Sequence, residues 1–160
     1  MNNIQEKQSF SNKWIWAILL LVLGINTFVV VHHYNAVGSI LLLDLLPFLI
    51  TVILTLLFFN FRLEFNINNE GVNYRFFPIH NKMREIKRSE IVKITAIEYR
   101  PLLEYGGWGI RRGKTGWAYT ISGNKGIFIE LANGKSVLLG TKQSIEHLNE
   151  KLNLLAQSEA

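Results

Sequence analysis

Two long apolar runs near the N-terminus constrain this chain more than any other feature. Residues 14–31 read WIWAILLLVLGINTFVVV, 18 positions without a charge, and residues 40–59 read ILLLDLLPFLITVILTLLFF, 20 positions with one. As helices they would be about 27 and 30 Å long, close to the thickness of a bilayer's hydrocarbon core. The short connection at 32–39 can join only antiparallel neighbours, so the expectation is a two-helix transmembrane hairpin. A cleaved signal peptide is disfavoured, because its apolar core spans about 7–15 residues and no second span follows it at once.

Asp44 is the one charge within the second run. Its cost of about 3 kcal/mol is outweighed by the surrounding Leu, Ile, Phe and Val at roughly −0.3 to −0.6 kcal/mol each. It reads as an acid reaching the outer headgroups or, alternatively, as an intramembrane group that carries a proton or meets a partner. His32 and His33 lack neighbouring carboxylate or thiolate ligands in the sequence and read as an interfacial loop. Orientation follows from the basic residues. Lys7 and Lys13 precede the first span, the connection has neither Lys nor Arg, and residues 61–160 carry 15 Lys/Arg against 10 Asp/Glu. Both termini are therefore expected in the cytoplasm, with the protein multi-pass in an inner membrane. Trp14 and Trp16 suit the inner aromatic belt and Tyr34 the outer one.

From Phe61 the apolar period becomes two. Phe61, Leu63, Phe65 and Ile67 alternate with polar residues, and Val72, Tyr74 and Phe76 resume after the turn at 68–71. Further strands are predicted at 83–87, 92–96, 117–121, 127–131 and 136–139, the last two joined by Asn133-Gly134, a type I′ turn pair. Ile145, Leu148, Leu152 and Leu155 then form one stripe of a C-terminal helix. The expected organisation is a cytoplasmic tail at 1–13, helices at 14–31 and 40–59 with an extracytoplasmic loop at 32–39, a domain at 61–156, and a tail at 157–160. The fold class is membrane-anchored α+β, its domain a seven-stranded, bent antiparallel sheet or barrel capped by one helix.

Seven strands with the helix last resemble a pleckstrin-homology (PH) fold. The resemblance sharpens at Tyr99-Arg100-Pro101-Leu102, Glu104-Tyr105-Gly106-Gly107-Trp108-Gly109-Ile110-Arg111, Trp117-Ala118-Tyr119, Ser122-Gly123-Asn124-Lys125-Gly126-Ile127 and Leu139-Gly140-Thr141-Lys142. Together these look like small bacterial membrane proteins in which a two-span anchor precedes a bacterial PH-like domain. The resemblance implies a fold and a membrane address, and no settled biochemical activity. It does not carry phosphoinositide binding across, because the first hairpin tip, Asn68-Asn69-Glu70-Gly71, has no basic residue.

Few enzyme classes find support. The chain has no cysteine, which removes disulfides, thiolate metal sites and cysteine nucleophiles together. Gly113-Lys114-Thr115 matches the end of a P-loop, but Trp108 stands where its first glycine is required, and a strand rather than a helix follows. His80 and His147 are isolated, no metal or cofactor motif appears, and Glu104 beside Arg111 reads as a structural ion pair. The net charge of +5 is spread over the strands, against a nucleic-acid site. The segment Tyr105, Gly106, Gly107, Trp108, Gly109, Arg111 and Arg112 is the expected protein- or lipid-binding surface, its glycines admitting close approach and its Trp and Arg suited to contact. Lys82, Arg84, Lys87 and Arg88 form a second basic run, either facing anionic lipid or guarding a strand edge.

The expectation is thus a non-enzymatic, membrane-anchored interaction or scaffold module. It would touch lipid through its anchor and engage a protein partner or a second copy. Two alternatives come from other classes: an accessory or regulatory subunit of a transporter acting through the hairpin, and a membrane hydrolase or transferase.

Overall fold

The computed structural model describes residues 3–10 and 13–157. The chain divides into two compact units, one holding residues 11–60 and the other 1–10 together with 61–160. The first is a pair of helices, α1 (Lys13–Val37) and α2 (Leu42–Asn60). Helix α1 outruns the predicted span by six residues at its C-terminal end, so only four residues, 38–41, connect the two. Gly38 takes a left-handed conformation there (φ 77°) and its N–H closes on Tyr34 O at 2.8 Å. Apart from Thr51, neither helix has a buried residue.

The second unit is α+β, built on two sheets. Sheet one has the order β1-β2-β3-β4, from β1 (Ile4–Ser9), β2 (Arg62–Asn68), β3 (Gly71–Phe77) and β4 (Arg84–Lys87). Sheet two has the order β5-β8-β9-β7-β6, from β5 (Ile91–Glu98), β6 (Gly109–Arg112), β7 (Gly116–Thr120), β8 (Lys125–Leu131) and β9 (Ser136–Thr141). A short helix α3 (Pro101–Tyr105) and the C-terminal helix α4 (Ile145–Gln157) complete it. The predicted strands all appear, but the expectation of one seven-stranded antiparallel sheet needs correction. Among the described residues nine strands form two sheets that do not close into a barrel, and β7 and β9 run parallel.

The nine arise because two strands lie outside the alternating pattern. One is β6, rich in glycine and arginine. The other is β1, inside the segment expected to be a tail, which pairs antiparallel with β2 from Ile4↔Ile67 to Ser9↔Arg62. Its inward face is Ile4, Glu6 and Gln8, with Ile4 and Gln8 fully buried. Both polar side chains are hydrogen-bonded within the fold. Gln8 Nε2 donates to Gly140 O at 2.7 Å, and the Glu6 carboxylate accepts from Thr141 Oγ1, the Lys142 N–H and Gln143 Nε2. Because α1 and α2 lie in sequence between β1 and β2, the helical pair is an insertion between two neighbouring strands of one sheet.

The main core joins both sheets. Leu63, Phe65, Ile67, Val72 and Phe76 meet Ile121, Ile127, Ile129 and Leu139, and Leu148 and Leu155 of α4 pack on the same cluster. A smaller core of Tyr99, Ala118 and Leu138, joined by Ile97, Tyr105 and Phe128, covers the other face of sheet two. Close packing there sets one glycine: a Cβ on Gly116 would lie 1.6 Å from Ser136 O across the β7–β9 pairing.

Candidate interaction surface

The glycine–tryptophan segment is built outward from α3. Pro101 sits in the first turn, where its missing N–H costs nothing. Glu104 reaches back to accept the Arg100 N–H at 2.8 Å. Gly106 ends the helix in a left-handed conformation (φ 69°), with its N–H on Leu102 O at 3.2 Å, and the Gly107 N–H bonds Pro101 O at 2.9 Å. The Trp108 indole N–H donates to Gly123 O at 2.8 Å, tying the segment to the β7–β8 turn, and Arg111 Nε donates to Trp108 O at 3.1 Å. Tyr105 packs edge-on against Tyr99 at 5.8 Å and lies so near Gly113 that a Cβ there would stand 2.6 Å from the ring.

Of the expected surface residues, Gly106, Arg111 and Arg112 are exposed, Tyr105, Trp108 and Gly109 are partly buried, and Gly107 is buried. The indole therefore braces the segment as well as facing outward. The expected Glu104–Arg111 ion pair does not form, since each side chain is bonded to backbone. Two residues outside the expected set are the most exposed apolar groups of this region, Leu102 at 68% and Leu103 at 79%. Their signal in the sequence was a leucine pair belonging to neither a strand alternation nor a helical stripe. Beside them opens a cleft of about 540 Å³ lined by Ile97, Leu103, Glu104, Tyr105, Lys114, Thr115 and Phe128. Burial pushes the Tyr99 hydroxyl up to about 12 and raises that of Tyr105, so both stay neutral phenols near neutral pH. The cleft thus combines aromatic and aliphatic side chains with one ammonium and one carboxylate.

Elsewhere in the domain, His80 is buried and bridges the sheets, its ring 6.3 Å from Tyr74 and 5.3 Å from Tyr119. Desolvation, helped by the Arg84 charge, holds its pKa below the usual value, and Arg84 in turn donates to the Tyr119 hydroxyl at 3.3 Å. Among the described residues no group of three His, Asp or Glu is placed to hold a metal ion.

The helical pair carries polar contacts of its own. Asp44 Oδ2 lies 2.7 Å from His33 Nδ1 and accepts the Leu41 N–H at 2.9 Å, so the acid is taken up locally by a histidine that belongs to α1 rather than to an interfacial loop. Further along, Asn26 Nδ2 donates to Thr51 Oγ1 at 3.0 Å, and Thr51 donates to Pro47 O at 2.8 Å, using the region around the proline to settle a buried hydroxyl. Both helices are long and apolar enough to cross a membrane, with mean hydropathies of 2.4 and 2.5, which points to membrane association. No model of a known protein family matches the chain, and a search of curated proteins likewise finds no match.

Proposed function

We propose that this chain is a membrane-anchored, non-enzymatic interaction module, in which a two-helix hairpin holds a PH-like domain at the cytoplasmic face. The observation that carries the reading is the pairing of β1 with β2 on either side of the apolar helices. Strands that bond to one another lie in one compartment, so the helices between them must leave and return on the same side, as two full crossings do. The surplus of Lys and Arg in residues 61–160 favours the cytoplasm for that side. The PH-like assignment draws on the strand-then-helix order and on α4 covering the core. Anchoring raises the domain's local concentration, so a weak contact becomes effective at the membrane.

The contact surface in this reading is Leu102, Leu103, Arg111 and Arg112 around the α3 cleft, with a protein partner or a second copy as occupant. The test is purification of the full-length protein from native membranes in mild detergent, with partner identification, beside the variant Leu102→Ser/Leu103→Ser/Arg111→Ala. These three side chains are exposed, so the variant should fold. Loss of a co-purifying protein in the variant supports the surface; unchanged recovery removes it.

A second reading, an accessory subunit acting through its helices, is favoured by the His33–Asp44 and Asn26–Thr51 contacts. In that case Asp44→Asn, rather than the surface variant, would release the partner.

A further inference from the structure

Sheet one has two tight reversals of very different character. At one end, Asn68-Asn69-Glu70-Gly71 joins β2 to β3 and carries no apolar side chain beyond the strands. At the other, residues 78–83 join β3 to β4 and expose Ile79 at 59% and Met83 at 47%, with Lys82 exposed between them. No acidic residue lies between Phe77 and Arg84. Ile79 and Met83 are among several exposed apolar side chains of the domain, Leu102 and Leu103 being others, and it is their position that bears on the membrane.

Strand register settles which end of the sheet this is. Phe77 pairs with Arg62, and Arg62 is two residues from Asn60, the last residue of α2. β2 starts at the sheet end where the chain leaves α2 and β3 returns to that end, so the 78–83 turn lies at the end of the sheet that holds Phe61. Adjacent strands are about 4.8 Å apart and a residue spans at most about 3.6 Å, so Ile79 lies within about 16 Å of Phe61, the first residue after α2. The polar reversal at 68–71 lies at the opposite end of the same strands.

We propose that the 78–83 turn is a second membrane contact, separate from the helices, which seats Ile79 and Met83 in the bilayer interface and Lys82 against anionic lipid phosphate. The inference rests on the membrane-anchored reading above. An apolar pair flanking a cation matches the headgroup region, where hydrocarbon begins within a few ångströms of the phosphates. A basic residue held near an anionic surface is attracted to it. The contact would restrain the domain's tilt.

Because the chain has no cysteine, a single introduced thiol is a unique label site. Full-length protein with Ile79→Cys, Asn69→Cys or Leu20→Cys would be spin-labelled and reconstituted in nanodiscs of phosphatidylcholine, with and without phosphatidylglycerol. Collision with oxygen, which concentrates in lipid, is compared with collision with a water-soluble nickel chelate. The expected result is oxygen dominance at positions 20 and 79 and nickel dominance at 69. Phosphatidylglycerol should deepen the label at 79, and Lys82→Glu should reverse that shift.

Nickel dominance at both 79 and 69, with 20 in lipid, overturns the inference and leaves the anchor reading intact. Nickel dominance at 20 overturns both. Shielding of 79 from both reagents indicates protein cover and rejects lipid as the occupant. A depth at 79 indifferent to phosphatidylglycerol rejects the phosphate contact.

Discussion

Excising the helices should convert this chain into a soluble domain, but only if β1 is kept. In the joined variant, Asn-Gly replaces residues 11–60 and links Phe10 to Phe61, whose backbones already meet through a 3.3 Å N–H···O bond. A two-residue Asn-Gly loop suits two antiparallel neighbours of this kind. The comparison is the fragment 61–160, which a reading of the N-terminus as a plain tail would select. The fragment loses the fully buried Ile4 side chain, worth about 1.5–3 kcal/mol. It also loses the hydrogen bonds to the Glu6 carboxylate, where bonds to a charged group contribute about 1.5–3 kcal/mol. Taken together, about 4 kcal/mol disappears from a domain whose total stability is typically 5–15 kcal/mol. With a urea m-value of about 2 kcal/mol/M, the midpoint should fall by about 2 M. Urea titration followed by tryptophan fluorescence would measure it, since Trp108 and Trp117 remain in both forms. Equal midpoints for fragment and joined variant would refute the claim that β1 is an integral strand.

Four smaller tests follow. Glu6→Ala in the full chain leaves the buried Thr141 hydroxyl without its acceptor and should cost about 2 kcal/mol, read as faster hydrogen exchange in β1 and β2, whereas Lys7→Ala, which removes the exposed partner of Glu64 while Arg75 still pairs with it, should cost under about 1 kcal/mol. Gly116→Ala places a Cβ against Ser136 O and should cost at least about 3 kcal/mol, seen as loss of folded yield. His80 is kept below its ordinary pKa chiefly by desolvation, so the unfolded chain binds the extra proton first; domain stability should decline as pH falls through about 6.5 and level off below the folded value, and His80→Gln should flatten that slope in denaturant titrations between pH 8 and 5. Asp44→Ala removes the His33 contact and should weaken helix–helix association by about 0.6–2 kcal/mol, measurable as reduced resistance of the pair to separation in SDS.

Much of the architecture was legible because helices and strands impose different apolar periods. The two uninterrupted apolar helices, the alternation in β2 and β3, and the stripe of α4 all follow from which faces are apolar. β1 escaped because its inward face is one isoleucine and two polar residues, so its strand character depends on partners at Gly140–Gln143 that no local pattern reveals. β7 and β9 blurred the alternation for the opposite reason. The smaller core covers the outer side of Ala118 and Leu138, while Tyr119 and Leu139 face the main core, so consecutive residues are buried. At the candidate surface, composition located the segment but not its division of labour. A tryptophan with an indole N–H that finds a carbonyl is half structural, and only the fold shows that Leu102 and Leu103 hold the exposed positions.

The placement of the helices between β1 and β2 also orders the birth of the protein. Gln8 is translated 132 residues before Gly140, the carbonyl it bonds, an interval of roughly 7–26 s at ordinary translation rates. The apolar segments emerge within that interval and, in a chain that threads a bilayer, must be inserted before the first strand can meet its last partner. A chain that crossed only once would leave that strand on the opposite side from the rest of its sheet, with the domain unable to close and the edge of β2 open. On the membrane-anchored reading, domain closure would therefore depend on a hairpin that crosses twice, and a chain threaded once would leave its first sheet unfinished.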